Sequence, residues 1–242
     1  MQFYFIRHGQ SENNLLWAQT GSSEGRNDDP GLTEVGWQQA RAVARFLKGD
    51  GPAGTPSTAG WDPQNATGFG ISYLYCSLML RAVLTGDVIA RELGLPLLAW
   101  PDVHESGGIY LRDEVSGERL GQPGKTRAFF ETHFPNLVLP KDLGDEGWWN
   151  RPFEAQEARP ARASRALEEL LARHGDSQDR VAVVSHGGFY NWLLRAILNL
   201  PPESDRWFTL NNAALSRIDF TDGGIELVYG NRADYLLPHL IT

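Results

Sequence analysis

Phe5-Ile6-Arg7-His8-Gly9 near the start and Val184-Ser185-His186-Gly187-Gly188 far along the chain share one pattern. In each, a short apolar run (Phe3 to Ile6, Val181 to Val184) leads into a histidine followed by glycine. Such a run reads as a buried strand, and the glycine as the tight turn that sends the backbone toward a helix. Open α/β sheets place their ligand sites at the carboxyl ends of such strands. The pattern therefore delivers two imidazoles to one sheet edge, with Arg7 beside the first. A packing role gives no reason for the repetition, whereas phosphate chemistry does. His104, His133, His174 and His239 lack this setting and read as structural or surface groups.

Composition sets the outer limits. A chain of 242 residues suffices for one large α/β domain or two small ones. With 22 Lys and Arg against 30 Asp and Glu, the net charge is −8. That argues against a nucleic-acid surface, which needs a basic stripe. It leaves room for a small anionic substrate, because a few arginines can focus positive potential inside a cleft. The single Cys76 excludes an internal disulfide and fits a reducing compartment. Met1 leads straight into an apolar strand, and no stretch has the ~18 consecutive apolar residues of a membrane helix. The chain reads as cytoplasmic and not membrane-bound, and the Asn65-Ala66-Thr67 sequon as chance.

Strands and helices alternate along most of the sequence. Strand Gln2–Ile6 is followed by a polar segment, Gln10 to Asp29. A helix after Thr33 carries Ala40, Val43, Ala44 and Leu47 on one face. Residues 49–70 read as a long surface loop. Strand Ile71–Tyr75, a helix over about 78–93 and a short strand near Leu95–Ala99 come next. Residues 100–152, rich in Gly, Pro and charge, read as an irregular excursion from the sheet. The pair Trp148-Trp149 with Arg151 either covers a substrate or anchors this excursion. A helix over about 154–174, strand Arg180–Ser185, a helix from Gly188 to Leu200 stopped by Pro201-Pro202, and a terminal hairpin complete the order. Alternation of this kind predicts a single three-layer α/β/α domain over residues 1–242, with a mainly parallel sheet and the excursion over the active site.

Phosphoryl transfer to histidine needs a neutral imidazole, fixed cations for the phosphoryl oxygens and an acid for the leaving oxygen. Arg7 and His8 supply the first two together. Arg81 begins a helix after a strand, again at the sheet edge. Glu105, ahead of the small turn Ser106-Gly107-Gly108, is the candidate acid. The N–H of Gly187, at a helix start, is a further donor for an anion.

Five stretches, in order, resemble the histidine phosphatase superfamily, the phosphoglycerate-mutase-like group. Arg7-His8-Gly9-Gln10-Ser11-Glu12-Asn13-Asn14 looks like its signature. Asp29-Pro30-Gly31-Leu32-Thr33-Glu34-Val35-Gly36 with Gln39-Ala40 looks like its first-helix motif. Cys76-Ser77 through Arg81-Ala82-Val83-Leu84-Thr85 looks like its second phosphate-binding arginine segment. His104-Glu105 through Gly108 looks like its acid segment, and Ser185-His186-Gly187-Gly188 like its second histidine. The resemblance covers residues 1 to about 230. It implies that His8 becomes phosphohistidine, that Arg7, Arg81 and His186 bind the phosphoryl group, that Asn14 contacts it, and that Glu105 donates the proton. It also implies no metal and no cofactor. Two Arg beside two His would repel a divalent cation.

Departures tilt the expectation toward a phosphomonoesterase acting on a small phosphorylated metabolite. Gln10 stands where mutases of the group usually have Glu, and Arg112, Arg119, Lys125 and Arg127 are too scattered to form a mutase's basic grip. A phosphoglycerate-type mutase is the alternative, and a non-enzymatic phospho-ligand binding module a third reading. Gly124-Lys125-Thr126 is no nucleotide loop, since Arg119 stands where that motif needs glycine.

Overall fold

The computed structural model describes residues 1–49, 62–201 and 203–242. In chain order its elements begin with β1 (Gln2–Arg7), α1 (Glu12–Thr20), α2 (Glu34–Lys48), β2 (Tyr73–Cys76), α3 (Leu80–Leu93) and β3 (Leu97–Ala99). There follow β4 (Tyr110–Arg112), β5 (Arg119–Gly121), α4 (Arg127–His133), β6 (Leu137–Val138) and α5 (Ala158–His174). The last are β7 (Arg180–Ser185), α6 (Gly187–Ile197), β8 (Leu215–Thr221) and β9 (Gly224–Arg232).

Seven strands form one sheet in the order β6-β3-β2-β7-β1-β8-β9. The pairs from β6 to β1 are parallel, while β8 and β9 add an antiparallel edge. The central strands are apolar throughout because both faces are covered. Side chains of β1 alternate: Phe5 meets Phe189 and Tyr190 of α6, whereas Tyr4 meets Phe69, which in turn meets Phe46 of α2. The expected α/β architecture with a mainly parallel sheet is the one observed.

Several boundaries differ from the sequence reading, each for a physical reason. The polar segment Gln10 to Asp29 contains α1, a helix that buries no residue and so carries no apolar stripe. A reciprocal cap starts it: Ser11 Oγ accepts from Asn14 N at 3.3 Å, and Asn14 Oδ1 from Ser11 N at 3.1 Å. The excursion is not wholly irregular. It holds the β4–β5 hairpin and α4, then rejoins the main sheet as β6 beside β3. Helix α5 starts at Ala158, because Glu154 is engaged by Arg162 (2.5 Å) and its N–H by Gly107 O. Helix α6 stops at Ile197, ahead of left-handed Asn199 (φ 51°), so Pro201 is not what ends it. Of the surface loop 49–70, residues 50–61 lie outside the described residues. Asn65 of the sequon is buried, its Nδ2 donating to Tyr4 Oη at 2.7 Å.

The turn after β1 is clamped from two sides. Gly9 N donates to Thr85 Oγ1 of α3 (3.0 Å), and Gln10 N to Gln39 Oε1 of α2 (2.6 Å). A Cβ on Gly36 would run into the Gln10 carbonyl, and one on Gly9 into the Gly36 carbonyl. Backbone against backbone leaves nothing flexible to yield. Gly36→Ala is therefore expected to lower stability by about 1–3 kcal/mol in urea unfolding; a change below ~0.5 kcal/mol would mean this contact relaxes freely.

Candidate active site

Four neighbouring parallel strands deliver their carboxyl ends to one place. His8 follows β1, Ser77 follows β2, Glu105 follows β3 after a short turn, and His186 follows β7. His8 is buried, with Nδ1 2.6 Å from Gly9 O. Arg81 Nε approaches His8 Nε2 at 3.1 Å. An arginine N–H only donates, so Nε2 must accept and the proton sits on Nδ1, bonded to the Gly9 carbonyl. Burial first, then the charges of Arg81 and Arg7, hold the imidazole well below the usual histidine range, against the opposing Gly9 bond. His8 is thus a neutral ring whose lone pair, on Nε2, is held by Arg81.

The His186 ring centre lies 5.0 Å from that of His8. Its Nε2 is 2.9 Å from Ser77 Oγ, which also accepts from Met79 N at 3.2 Å. The consistent arrangement has the Ser77 hydroxyl donating to Nε2, leaving the His186 proton on Nδ1. That atom is buried without a partner. Burial and then Arg81 push this histidine down as well.

Arg7 Nη1 donates to Leu210 O at 2.6 Å, while its Nε is buried and unpartnered. Among the described residues, Arg81 hydrogen-bonds, beyond its contact with His8, to Met79 Sδ at 3.2 Å with Nη2. Burial lowers both guanidinium pKa values from their ordinary value; Glu105 opposes this at Arg7, and Asp29 and Glu105 at Arg81. Asn14 Oδ1 accepts from Ser11 and from Asn212 Nδ2 (3.2 Å), which turns its own amide N–H group elsewhere. Gly187 opens α6, so its N–H has no partner within the helix.

Glu105 is held by backbone. Its Oε1 accepts from Ser106 N (2.7 Å) and Phe189 N (3.0 Å), and its Oε2 from Gly188 N (3.1 Å). A Cβ on Gly188 would collide with the carboxylate, so glycine is required there. Arg162 braces the segment from below, donating to the carbonyls of Asp102 (2.8 Å) and His104 (2.9 Å) while paired with Glu154. Gly107 and Gly108 are left-handed (φ 94° and 76°), with Gly108 flush against the Trp149 ring.

A cavity of about 230 Å³ opens onto these groups. Arg7, His8, Asn14, Arg81 and Glu105 line it; His186 and Gly187 do not, His186 lying behind His8 with no exposed surface. Trp148 and Trp149 are buried against His104, with Arg151 stacked 4.0 Å over Trp149, so they anchor the excursion instead of covering the cavity. Sequence reasoning missed the outer wall, built by Leu16 and Trp17 of α1 and by Arg26. It also missed Ser77 as partner of His186, and Arg162. Only the Ser11-to-Asn14 cap spacing pointed to α1; nothing local marked the others.

The chain belongs to the histidine phosphatase superfamily, whose branch 1 family model matches residues 3–57 and 63–232. It is 27% identical over 220 residues to “Probable phosphoglycerate mutase GpmB” of Photorhabdus laumondii subsp. laumondii, covering 91% of this chain and 85% of the relative. A phosphoserine phosphatase from Entamoeba histolytica, solved in complex with 3-phosphoglyceric acid, shares the fold at 22% identity and a TM-score of 0.61, over 98% of this chain and 99% of that one. A mycobacterial glucosyl-3-phosphoglycerate phosphatase does so at 21% identity and 0.53, over 90% of each chain. No described helix is long and apolar enough to cross a membrane.

Three buried imidazoles, His8, His104 and His186, have pKa values held well below 6.5. Unfolded, each takes up a proton as pH falls below about 6.5; folded, none does until much lower. Their stabilising effect is present above that pH and lost as it falls. Asp29 acts oppositely: burial raises its pKa to about 6, so it opposes the trend by one proton on the acid side. At about 1.4 kcal/mol per proton per pH unit, three outweigh one. Urea unfolding should show at least ~2 kcal/mol less stability at about pH 5 than at pH 7; a flat profile would mean these rings titrate normally.

Proposed function

We propose that this protein is a phosphomonoesterase that works through a phosphohistidine on His8. The observation that carries the reading is the neutral His8, its proton fixed on Nδ1 by the Gly9 carbonyl, at the base of a cavity flanked by Arg7 and Arg81. Before attack, Arg81 pivots from Nε2 onto the phosphoryl oxygens. The Nε2 lone pair then forms the N–P bond as the ester P–O bond breaks. Glu105 gives its proton to the departing oxygen. Water next attacks phosphorus with Glu105 taking the proton, the N–P bond breaks, and inorganic phosphate leaves. Arg7, Arg81 and the Asn14 amide stabilise the three equatorial oxygens, whose charge shifts in the transition state, while His186 packs behind His8.

Water is the acceptor in this reading. The mutase alternative is favoured by the relatives' names, but that reaction needs a grip that returns a hydroxyl to the phosphohistidine. Arg127 is spent on the carbonyls of Pro140 and Leu143, Arg119 stacks on Phe153, and neither these nor Arg112 and Lys125 line the cavity. Gln10 does not discriminate, since its Oε1 accepts from Thr33 Oγ1 and faces away from the cavity.

Brief incubation with labelled phosphomonoester should trap acid-labile, alkali-stable label on the protein, which a chase releases as inorganic phosphate. His8→Ala should lose label and turnover together. Full activity in that variant, or chase of the label into a second substrate hydroxyl, would overturn the reading.

The leaving group separates the role of Glu105 from mere binding. An alkoxide needs its proton in the transition state, whereas nitrophenolate departs as the anion. Glu105→Gln should slow an alkyl phosphate by ~10²–10⁴-fold and p-nitrophenyl phosphate far less. Equal losses on the two would make Glu105 a positioning group.

A further inference from the structure

Arg26 lies between α1 and α2 in the outer wall and takes no part in the reaction as written. Its guanidinium rests on the Tyr110 ring, with Cζ 4.1 Å from the ring centre. Tyr110 belongs to β4, so the cation is fixed by an element outside its own segment. Arg26 Nε is buried with no hydrogen-bond partner, and no described carboxylate pairs with this side chain. Glu105, the acid that lines the same cavity, is already held by three backbone N–H groups. A freely solvated surface arginine would not present a dry Nε or rest over a ring. A half-buried guanidinium without a counter-charge is costly, and an arriving anion removes that cost.

We infer that Arg26 is a specificity-determining residue that receives a second anionic group of the substrate, a carboxylate or a further phosphoryl, in addition to the phosphate being cleaved. Tyr110 engages the cation, and among the described residues no acceptor takes the Arg26 N–H groups, which suit bidentate recognition of either group. Arg7 and Arg81 already serve the scissile phosphate, so the third arginine of the cavity reads what is attached to it. This rests on the hydrolase reading above.

The test compares three-carbon phosphomonoesters that end in a carboxylate (3-phosphoglycerate), a second phosphate (propane-1,3-diyl bisphosphate) or a neutral hydroxymethyl group (glycerol 3-phosphate). Wild-type protein should prefer one anionic end over glycerol 3-phosphate in kcat/KM. Arg26→Gln should shrink that preference by about 10–100-fold, and Arg26→Lys should retain part of it; the end that suffers identifies the group. An unchanged ratio would overturn the inference, as would equal losses on all three, which would place Arg26 at the scissile phosphate. Failure of wild type to release phosphate from any of them or from p-nitrophenyl phosphate would instead sink the hydrolase reading. Calorimetric binding of the same three compounds to both proteins then still reads whether Arg26 selects the anionic end.

Discussion

Parallel pairing of β1 with β7 sets Arg7 opposite Ser185, and one step on, the His8 N–H donates to the Ser185 carbonyl at 2.9 Å. The placement of both histidines follows from that register. The strands are apolar on both faces, so slipping by one residue would exchange the sides on which Tyr4 and Phe5 pack, and the core resists it. With the register fixed, His8 and His186 must emerge side by side. Neighbouring β2, held to β7 with Cys76 opposite Val184, brings Ser77 to the same level, where its hydroxyl fixes the His186 proton. No loop has to search for this arrangement.

Burial then sorts the charges. The same dry surroundings that keep two imidazoles neutral also lower the pKa of Arg7 and Arg81, yet guanidinium is so strong a base that it remains charged at neutral pH. An ammonium, with its lower intrinsic pKa and stronger hydration, is easier to neutralise by burial. The choice of arginine over lysine therefore decides whether His8, the proposed nucleophile, sits beside fixed positive charge or beside neutral amines. Pre-oriented cations in such a site cost little reorganisation as charge moves across the phosphoryl oxygens.

What could be read from sequence tracks how local each signal is. Apolar runs ending in His-Gly are properties of a few adjacent residues, and they located β1, β7, both histidines and the sheet edge they share. The arginine at the start of α3 was legible because helix and strand periodicities meet there. Helix α1 was not, because it buries nothing and therefore has no stripe to detect. With it went the outer wall and Arg26. The short β6 was hidden for another reason: a two-residue strand has no period, and its pairing with β3 is a tertiary fact. Arg162 is in the same class, since its partners Asp102 and His104 lie some 60 positions earlier in the chain.

The segment after β3 joins two tasks that a sequence reading keeps apart. It carries Glu105, turns through left-handed Gly107 and Gly108, and continues directly into Tyr110, the ring on which Arg26 rests. Its anchors are shared as well. Trp149 packs on His104 and on Gly108, while Arg162 holds the carbonyls on either side of Val103. Nothing elastic separates the proposed proton donor from the support of the third arginine, because the intervening residues are pinned by packing and by backbone hydrogen bonds. A displacement of this segment must therefore move both together. In the proposed reading, the path from Glu105 through this turn to Tyr110 therefore bounds the length of substrate that spans the acid and the third arginine.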